Sequence, residues 1–434
     1  MSARYDVICI GGGTAGMTAA RAAKAKGARV AIAEREAPRL GGDCTFWGCV
    51  PSKTLIEATR IPVRARALGL EPPPLEFATV MGQVHKVVDG IAAEESAEVF
   101  EREGIEVIPG VHGLDGLDAK AIVLATGTQP VTVDVGDLPT VTNETVFDLK
   151  ELPRRLAVVG GAATGLELAQ AFARLGSEVT VYEQHERLLG SEEPEAGEAV
   201  LAALRAEGID VRLGATAAGI DADLVLLAAG RRPSLEGIEG VELGPDGYVK
   251  TDARMRTSRK GVYAAGDITG GAQFTHSAAQ EGMAAGTNAA GGRARVSYRV
   301  IPRVTFTDPE VASVGMTEGE ARAKHGDAVE ATTLPLAAVD RAKMVGRTDG
   351  FIKLVVHRRW PLGGPTGGRL LGAHVVGEGA GEMIHEAVLV MQSRAFAGRL
   401  AQAIHAYPTM SVGMQQAAAL LFPQGRAQVP GAER

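Results

Sequence analysis

The chain of 434 residues repeats one pattern at an offset of 149 residues. An apolar run over 5–10 leads into Gly11-Gly12-Gly13-Thr14-Ala15-Gly16, an alanine-rich stretch to Gly27, and a second apolar run over 29–33 ending at Glu34. The run 156–159, Gly160-Gly161-Ala162-Ala163-Thr164-Gly165, residues 166–175, and the run 179–182 ending at Glu183 repeat it. Gly11 maps to Gly160, Gly16 to Gly165 and Glu34 to Glu183. Each unit reads strand, glycine turn, helix, strand, which demands a parallel sheet buried on both faces. In such a unit Gly11 makes the tight turn, Gly13 lets backbone approach a pyrophosphate, and Gly16 packs helix on strand. Glu34 then accepts from a ribose hydroxyl. A chance glycine turn is the alternative. The strand before, the helix after and the acid 18 residues beyond the last glycine weigh against it.

The second unit departs at Ala162, which puts a methyl where backbone should meet pyrophosphate; this weakens or shifts nucleotide binding without abolishing it. Glu183 would repel a 2′-phosphate and so favours NAD(H) over NADP(H), with Arg187 as the nearby counter-signal. Both units close on a strand and a glycine: 121–127, with Thr126 and Gly127, and 224–230. From acid to closing glycine the first unit spans 93 residues and the second 47.

The excess in the first unit includes Gly41-Gly42-Asp43-Cys44-Thr45-Phe46-Trp47-Gly48-Cys49-Val50-Pro51-Ser52-Lys53, which holds two of the three cysteines. A helix is expected over 52–60. A thiol at a helix start is favoured as thiolate, and two thiols this close exchange a disulfide with little backbone movement. A redox-active pair is the favoured reading, with a structural disulfide or half a zinc site as alternatives. A zinc site needs two further ligands, and none lies near. Cys9 reads as packing in the first strand.

Net charge is −7 with no basic block, which argues against nucleic acid as a partner. No apolar run reaches the roughly 20 residues of a membrane helix. The chain enters its first strand at once, which predicts no signal peptide, and three cysteines make no secreted disulfide framework, so a cytoplasmic protein is expected. Asparagine occurs only at 143 and 288, weakly suggesting a GC-rich or heat-adapted source. Residues 61–104 read as mostly helical with a break at Pro72-Pro73-Pro74. Asp267, after a strand and Gly266, either accepts from a sugar-like chain or caps the next helix. From 297 the pattern becomes α+β with antiparallel pairing: strands over 304–306, 351–356 and 370–376, helices over 318–324 and 378–392.

Together these features resemble the class I pyridine nucleotide-disulfide oxidoreductases, the flavoenzyme family of dihydrolipoamide dehydrogenase, glutathione reductase and mercuric reductase. The resemblance runs from about 4 to 422. It rests on Gly11–Gly16, Cys44 and Cys49 with Pro51-Ser52-Lys53, Ala125-Thr126-Gly127, Gly160–Gly165, Gly266-Asp267 and Tyr407-Pro408-Thr409, in family order. Gly-Asp-Cys-Thr, Gly-Cys-Val-Pro-Ser-Lys and Gln273-Phe274-Thr275-His276 are most similar to the mercuric-reductase-like branch. The implied fold is α/β, with two Rossmann-like dinucleotide-binding domains and an α+β dimerisation domain. FAD is expected on 1–150 and 252–296, NAD(P) on 151–251, dimerisation on 297–422 and a flexible tail over 423–434.

The resemblance also implies roles. FAD lies on Gly11, Gly13 and Gly16, with Glu34 on the ribose, Asp267 on the ribityl chain, and Thr126 and Gly127 nearby. The nicotinamide nucleotide lies on Gly160, Gly165 and Glu183. Cys49 faces the flavin, Cys44 faces substrate, and Lys53 pairs with Glu167 near the flavin, since a buried lysine needs a carboxylate. NAD(P)H reduces the flavin, the flavin reduces the cysteine pair, and the dithiol reduces an acceptor. Each subunit of a homodimer completes the other's site.

Disulfide-specific members carry His-Pro-Thr with a glutamate five residues on; here Tyr407 and Val412 stand at those positions. Tyrosine, with a pKa of about 10, is a poor proton shuttle at neutral pH. His405, two residues earlier, reads as a structural or surface residue, with substitution for the missing base as the alternative. A dithiol substrate needs its proton removed and a metal ion does not, so Tyr407 points to a metal-ion or other non-thiol acceptor, with a small-molecule disulfide also admitted. Mercuric reductases also carry a C-terminal cysteine pair, and 422–434 hold none. The alternatives are a dihydrolipoamide dehydrogenase and a flavin-bearing redox sensor without high turnover. The segments before Ala121 and Leu224 are shorter than the β-meanders usual in the family, either trimmed or missing mobile loops.

Overall fold

The computed structural model describes residues 4–110, 113–114, 116–358 and 366–423; most of the expected flexible tail lies outside them. The chain divides into two compact units, Met1–Arg154 with Asp221–Tyr298, and Arg155–Ile220 with Arg299–Arg434.

In the first unit the strands are β1 (Tyr5–Ile10), β2 (Val30–Glu34), β3 (Glu106–Pro109), β4 (Ala119–Leu124), β5 (Thr128–Pro130) and β6 (Thr140–Val141). Its helices are α1 (Thr14–Lys24), α2 (Gly42–Phe46), α3 (Cys49–Ala67), α4 (Phe77–Glu94) and α5 (Ala97–Arg102). The second unit opens with β7 (Arg155–Val159), α6 (Ala163–Leu175), β8 (Glu178–Glu183), α7 (Pro194–Ala206) and β9 (Asp210–Leu213). The chain returns to the first unit for β10 (Leu224–Leu227), β11 (Arg231–Pro233), β12 (Val262–Ala264) and α8 (Thr275–Ala289).

The first unit is built on a parallel sheet in the order β12-β4-β1-β2-β3. β1 is apolar throughout because both its faces are covered: Val7 and Cys9 join the core under α1 and α8, while Ile8 and Ile10 join the core on the other face. Burial pushes the Cys9 thiol up to about 12, so it packs and does not react. α1 and α8 meet backbone to backbone. A methyl on Gly282 would lie 2.2 Å from the Ala15 carbonyl oxygen, and one on Gly286 2.0 Å from that of Ala19. β5 and β11 pair antiparallel, and β6 pairs parallel with β10.

The second unit repeats the parallel arrangement with β7, β8 and β9. It continues through β13 (Pro302–Thr305), β14 (Val311–Gly315), α9 (Glu318–His325), β15 (Val329–Pro335), α10 (Asp340–Met344), β16 (Phe351–His357) and β17 (Arg369–Val376). The helices α11 (Ala380–Gln392), α12 (Gly398–Gln402) and α13 (Val412–Ala419) follow. The five strands form an antiparallel sheet in the order β13-β14-β17-β16-β15.

Differences from the sequence reading have local causes. α3 starts at Cys49 and runs to Ala67, through Pro62. β14 (Val-Ala-Ser-Val-Gly) and β15 (Val-Glu-Ala-Thr-Thr-Leu-Pro) carry too few large apolar residues to stand out, and take their strand form from pairing with neighbours. Between β3 and β4, and between β9 and β10, the chain makes only short connections, with no strand among the described residues.

Candidate active site

The redox segment is shaped by its glycines. Gly41 (φ +122°) and Gly42 (φ +61°) turn the chain into α2, a conformation that L side chains avoid. Cys44 lies in the middle of α2, and Cys49 is the first residue of α3. Both are thiols here, with Cys44 half-buried and Cys49 exposed. Thr275, the first residue of α8, places its hydroxyl 3.5 Å from the Cys49 sulfur. The pair thus meets the N-terminal ends of a 19-residue and a 15-residue helix, both of which favour negative charge. The hydrogen bond between the two thiols, then burial, pushes Cys44 well above the usual thiol range; Thr275 pulls the other way. Lys53 lies four residues after Cys49, on the same side of α3.

The two fingerprints share an internal fastening. Glu34 accepts from the Gly12 N–H at 2.6 Å and the Glu36 N–H at 2.9 Å. Glu183 accepts from the Gly161 N–H at 2.7 Å and the His185 N–H at 2.8 Å, and the His185 ring adds a contact at 2.6 Å. Burial pushes the Glu183 carboxyl up, but the His185 and Gly161 donors outweigh it and hold it below the usual range. Each acid therefore first holds its own glycine loop, and a carboxylate has about four lone-pair sites to share. Arg187 donates to the carbonyls of Gly190 and Glu192.

The first fingerprint fits a dinucleotide. A methyl on Gly11 would lie 2.3 Å from the Ala125 carbonyl oxygen, and one on Gly16 1.8 Å from that of Gly11. A methyl on Gly13 would meet only the Cα of Gly42, at 3.8 Å, so the loop is open where a pyrophosphate must approach the N-terminus of α1. Ala162 holds the equivalent position before α6, and Gly160 (φ +126°) and Gly165 flank it. Asp267 follows Gly266 (φ +80°); burial pushes its carboxyl up, and Arg231 draws it back. Its turn is tied to α8 through Glu281, which accepts from the Gly266 N–H at 2.8 Å and the Thr269 hydroxyl at 3.1 Å. Thr126 donates to the Ser234 carbonyl at 2.7 Å, and Gly127 turns the chain at φ +67°.

Several residues around the cysteines escaped the sequence reading. The Asp43 carboxylate accepts from Arg231 Nη2 and Asn143 Nδ2, each at 3.0 Å. Arg231 also donates to Asn143 Oδ1 at 3.0 Å and, through Nε, to the Thr128 hydroxyl at 2.7 Å. This cluster fastens α2 to the β5–β11 ribbon. Asn288, the other asparagine, is also buried and bonds Arg254 and Ala294. The scarcity of asparagine had signalled only a source; its positions mark two internal fastenings.

In the second unit Glu167 is buried on α6, where Oε1 accepts from the Phe306 N–H at 2.8 Å. Tyr407 is 68% exposed and donates to Asp340 Oδ2 at 3.1 Å. That bond and the Asp340 charge raise the phenol further above neutral pH. His405 places Nε2 2.8 Å from Glu386 and Nδ1 3.0 Å from the Ala403 carbonyl. Burial lowers its pKa, but these two acceptors outweigh burial and raise it. No helix among the described residues is long and apolar enough to cross a membrane.

Residues 5–282 match the family described as pyridine nucleotide-disulphide oxidoreductase, and 301–418 match its dimerisation domain. A mercuric reductase of Staphylococcus aureus is 34% identical over 458 residues, covering 95% of this chain and 82% of the relative. A dihydrolipoyl dehydrogenase of Thermus scotoductus is 34% identical over 472 residues, covering 97% and 98%. Both alignments are longer than the chain itself, as the short connections before β4 and β10 would produce. Among solved structures, the HOCl-induced flavoprotein disulfide reductase RclA of Escherichia coli superimposes with a TM-score of 0.83 at 27% identity, covering 96% of this chain and 100% of that one.

Proposed function

The chain belongs to the pyridine nucleotide-disulphide oxidoreductase family, and on that basis we propose that it passes electrons from NAD(P)H, through FAD and the Cys44–Cys49 pair, to a metal-ion or small-molecule disulfide acceptor, in the manner of a mercuric reductase. FAD, when bound, supplies the two-electron chemistry between nicotinamide and disulfide. Gly11, Gly13, Gly16, Glu34, Thr126, Gly127 and Asp267 would hold it. Gly160, Gly165 and Glu183 would hold the nucleotide, with NAD(H) preferred because Glu183 is anionic and Arg187 is occupied by loop carbonyls.

The remaining roles follow the same reading. Cys49, at the start of α3 and against Thr275, is the thiol kept anionic and faces the cofactor. Cys44 faces the acceptor. Lys53 and Glu167 form the ion pair beside the cofactor. The three-part division expected from sequence assigns the antiparallel domain to a homodimer, in which Tyr407 of one subunit completes the site of the other. Ile404 (99% exposed), Leu389 (68%) and Met344 (58%) give that domain apolar surface to bury. The enzyme would work in the cytoplasm.

Tyr407 is the observation that supports a non-thiol acceptor. Its hydroxyl is engaged by Asp340 and titrates above an already high value, so it offers no proton transfer at neutral pH. A dithiol must lose protons to be oxidised; a metal ion requires none. Steady-state turnover with mercuric and cupric ions, small disulfides, lipoamide and oxygen tests this. Metal-ion reduction should exceed dihydrolipoamide oxidation at pH 7, and Tyr407→His should raise the latter. Rapid dihydrolipoamide oxidation by the unaltered protein would instead establish the second reading, dihydrolipoamide dehydrogenase, which the Thermus relative supports through its end-to-end match.

A further inference from the structure

One carboxylate beside the cysteine pair is explained by neither the fingerprint nor the pair itself. Glu95 caps the end of α4, within the helical insertion of the first unit. Its Oε2 accepts from the Thr45 hydroxyl at 2.7 Å, and Thr45, next to Cys44, is only 2% exposed. A methyl on Gly41 would lie 2.6 Å from the same oxygen, so the glycine leaves the room that the carboxylate occupies. Asp43, the other acid flanking Cys44, is neutralised by Arg231. Glu95 has no such partner: among the described residues no cation pairs with it. Arg21, which feels its charge, is bonded to Glu103 at 2.8 and 2.9 Å. The charge reaches the thiol: behind the larger effects of the Cys49 bond and burial, Glu95 also pushes Cys44 upward.

We propose that Glu95 sets the charge selectivity of Cys44, holding anionic acceptors away and favouring neutral or cationic ones. This deepens the reading above and rests on Cys44 being the thiol that faces the acceptor. Lipoate and glutathione disulfide carry carboxylates; metal cations do not. A fixed negative charge bonded to the residue next to Cys44 therefore separates metal cations from anionic disulfides, and leaves neutral lipoamide to the effect of Tyr407. Across a partly solvated site, one unit charge within several Å alters the approach of an anion by about five- to tenfold.

Two alkylating agents of similar size and different charge isolate this effect. Iodoacetamide and iodoacetate both give an S–C bond as the thiolate attacks carbon, with iodide leaving; only the second is anionic. The flavin-loaded, reduced protein is treated with each, and modification is mapped by mass spectrometry. The ratio of iodoacetamide to iodoacetate rates at Cys44 should fall about fivefold in Glu95→Gln and stay near the original in Glu95→Asp. The difference should shrink in high salt. The glutamine oxygen still accepts from Thr45, and a change of position alone would move both rates together. An unchanged ratio at Cys44 in Glu95→Gln overturns the inference. Alkylation of Cys49 ahead of Cys44 overturns the assignment of the outward thiol, and the inference with it.

Discussion

Replacing Lys353 with methionine should destabilise the second unit by about 3–5 kcal/mol, because it strips a cation from carboxylates that cannot all reach water. Lys353 lies on β16, is 4% exposed, and reaches Glu193, Glu195 and Glu318 at 3.0, 2.8 and 2.9 Å. The three acids do not suffer equally. The Glu195 side chain is 50% exposed and can turn outward, and Glu318 keeps Arg322 at 2.7 Å. Glu193 is 2% exposed and retains the Glu318 N–H at 2.6 Å, with the His374 ring 3.5 Å away. The loss therefore concentrates on Glu193, a buried charge left without its cation.

For a unit of this size the loss lowers the midpoint of thermal unfolding by on the order of 10 °C. The double variant Lys353→Met, Glu193→Gln should recover more than half, because it removes the stranded charge as well. The pH dependence has a definite sign. Burial pushes the Glu195 and Glu318 carboxyls up, but Lys353 outweighs it and holds both low, so this contribution is present above their ordinary value of about 4.5 and fades as pH falls through the folded-state values. Burial pulls Lys353 down, but its three acids win and raise it, so its contribution is complete below about 10.5 and fades as pH rises through the folded-state value. The gap between wild type and Lys353→Met is thus widest from about pH 5 to 10. Calorimetry across that range is the assay. A gap under 1 kcal/mol at pH 7, or no recovery in the double variant, would refute the account.

Three further outcomes are expected. In an anaerobic NADH titration Cys44→Ser should keep a long-wavelength absorbance band from a thiolate against the flavin, and Cys49→Ser should lose it; identical spectra would contradict the division of roles. Thr275→Ala should move the pH dependence of Cys49 alkylation upward, because it removes a hydroxyl 3.5 Å from the sulfur, and Thr275→Ser should restore it. Gly286→Ala should cost more than about 1–3 kcal/mol by denaturant unfolding and weaken flavin retention, since its methyl would meet backbone at 2.0 Å, which no rotamer relieves.

What was legible in the sequence and what was not divides by distance along the chain. The strands, the glycine turns and the paired cysteines are local patterns, and β1 through β2 stands where the apolar runs placed it. The surroundings of the cysteines are assembled from Thr275, which belongs to a motif that stood out in the sequence, and from Glu95, Asn143 and Arg231, none of which has a neighbour in sequence that announces it. Arg231 reads as one arginine among many until β11 pairs with β5 and aims it at Asp43. The same holds for β14 and β15, whose strand form comes from partners in a sheet. The repeat offset, in contrast, reaches down to single hydrogen bonds: Glu36 and His185 donate alike to Glu34 and Glu183.

That shared fastening makes the differences between the two fingerprints interpretable. Both acids spend acceptor capacity on their own loops, so an acid at the strand end does not by itself distinguish a tightly kept nucleotide from a passing one. Two neighbours do. At the first fingerprint Gly13 leaves the loop open, and Glu34 meets two backbone donors and, among the described residues, no side-chain donor. At the second, Ala162 adds a methyl at the approach, and the His185 ring takes another share of Glu183. On the proposed assignment each change would subtract from affinity for a ribose and its pyrophosphate without removing the site. A flavoenzyme of this family needs that inequality, because FAD must remain through every turnover while the oxidised nicotinamide must leave. One methyl and one imidazole, at equivalent places in a duplicated fold, would both act in that direction.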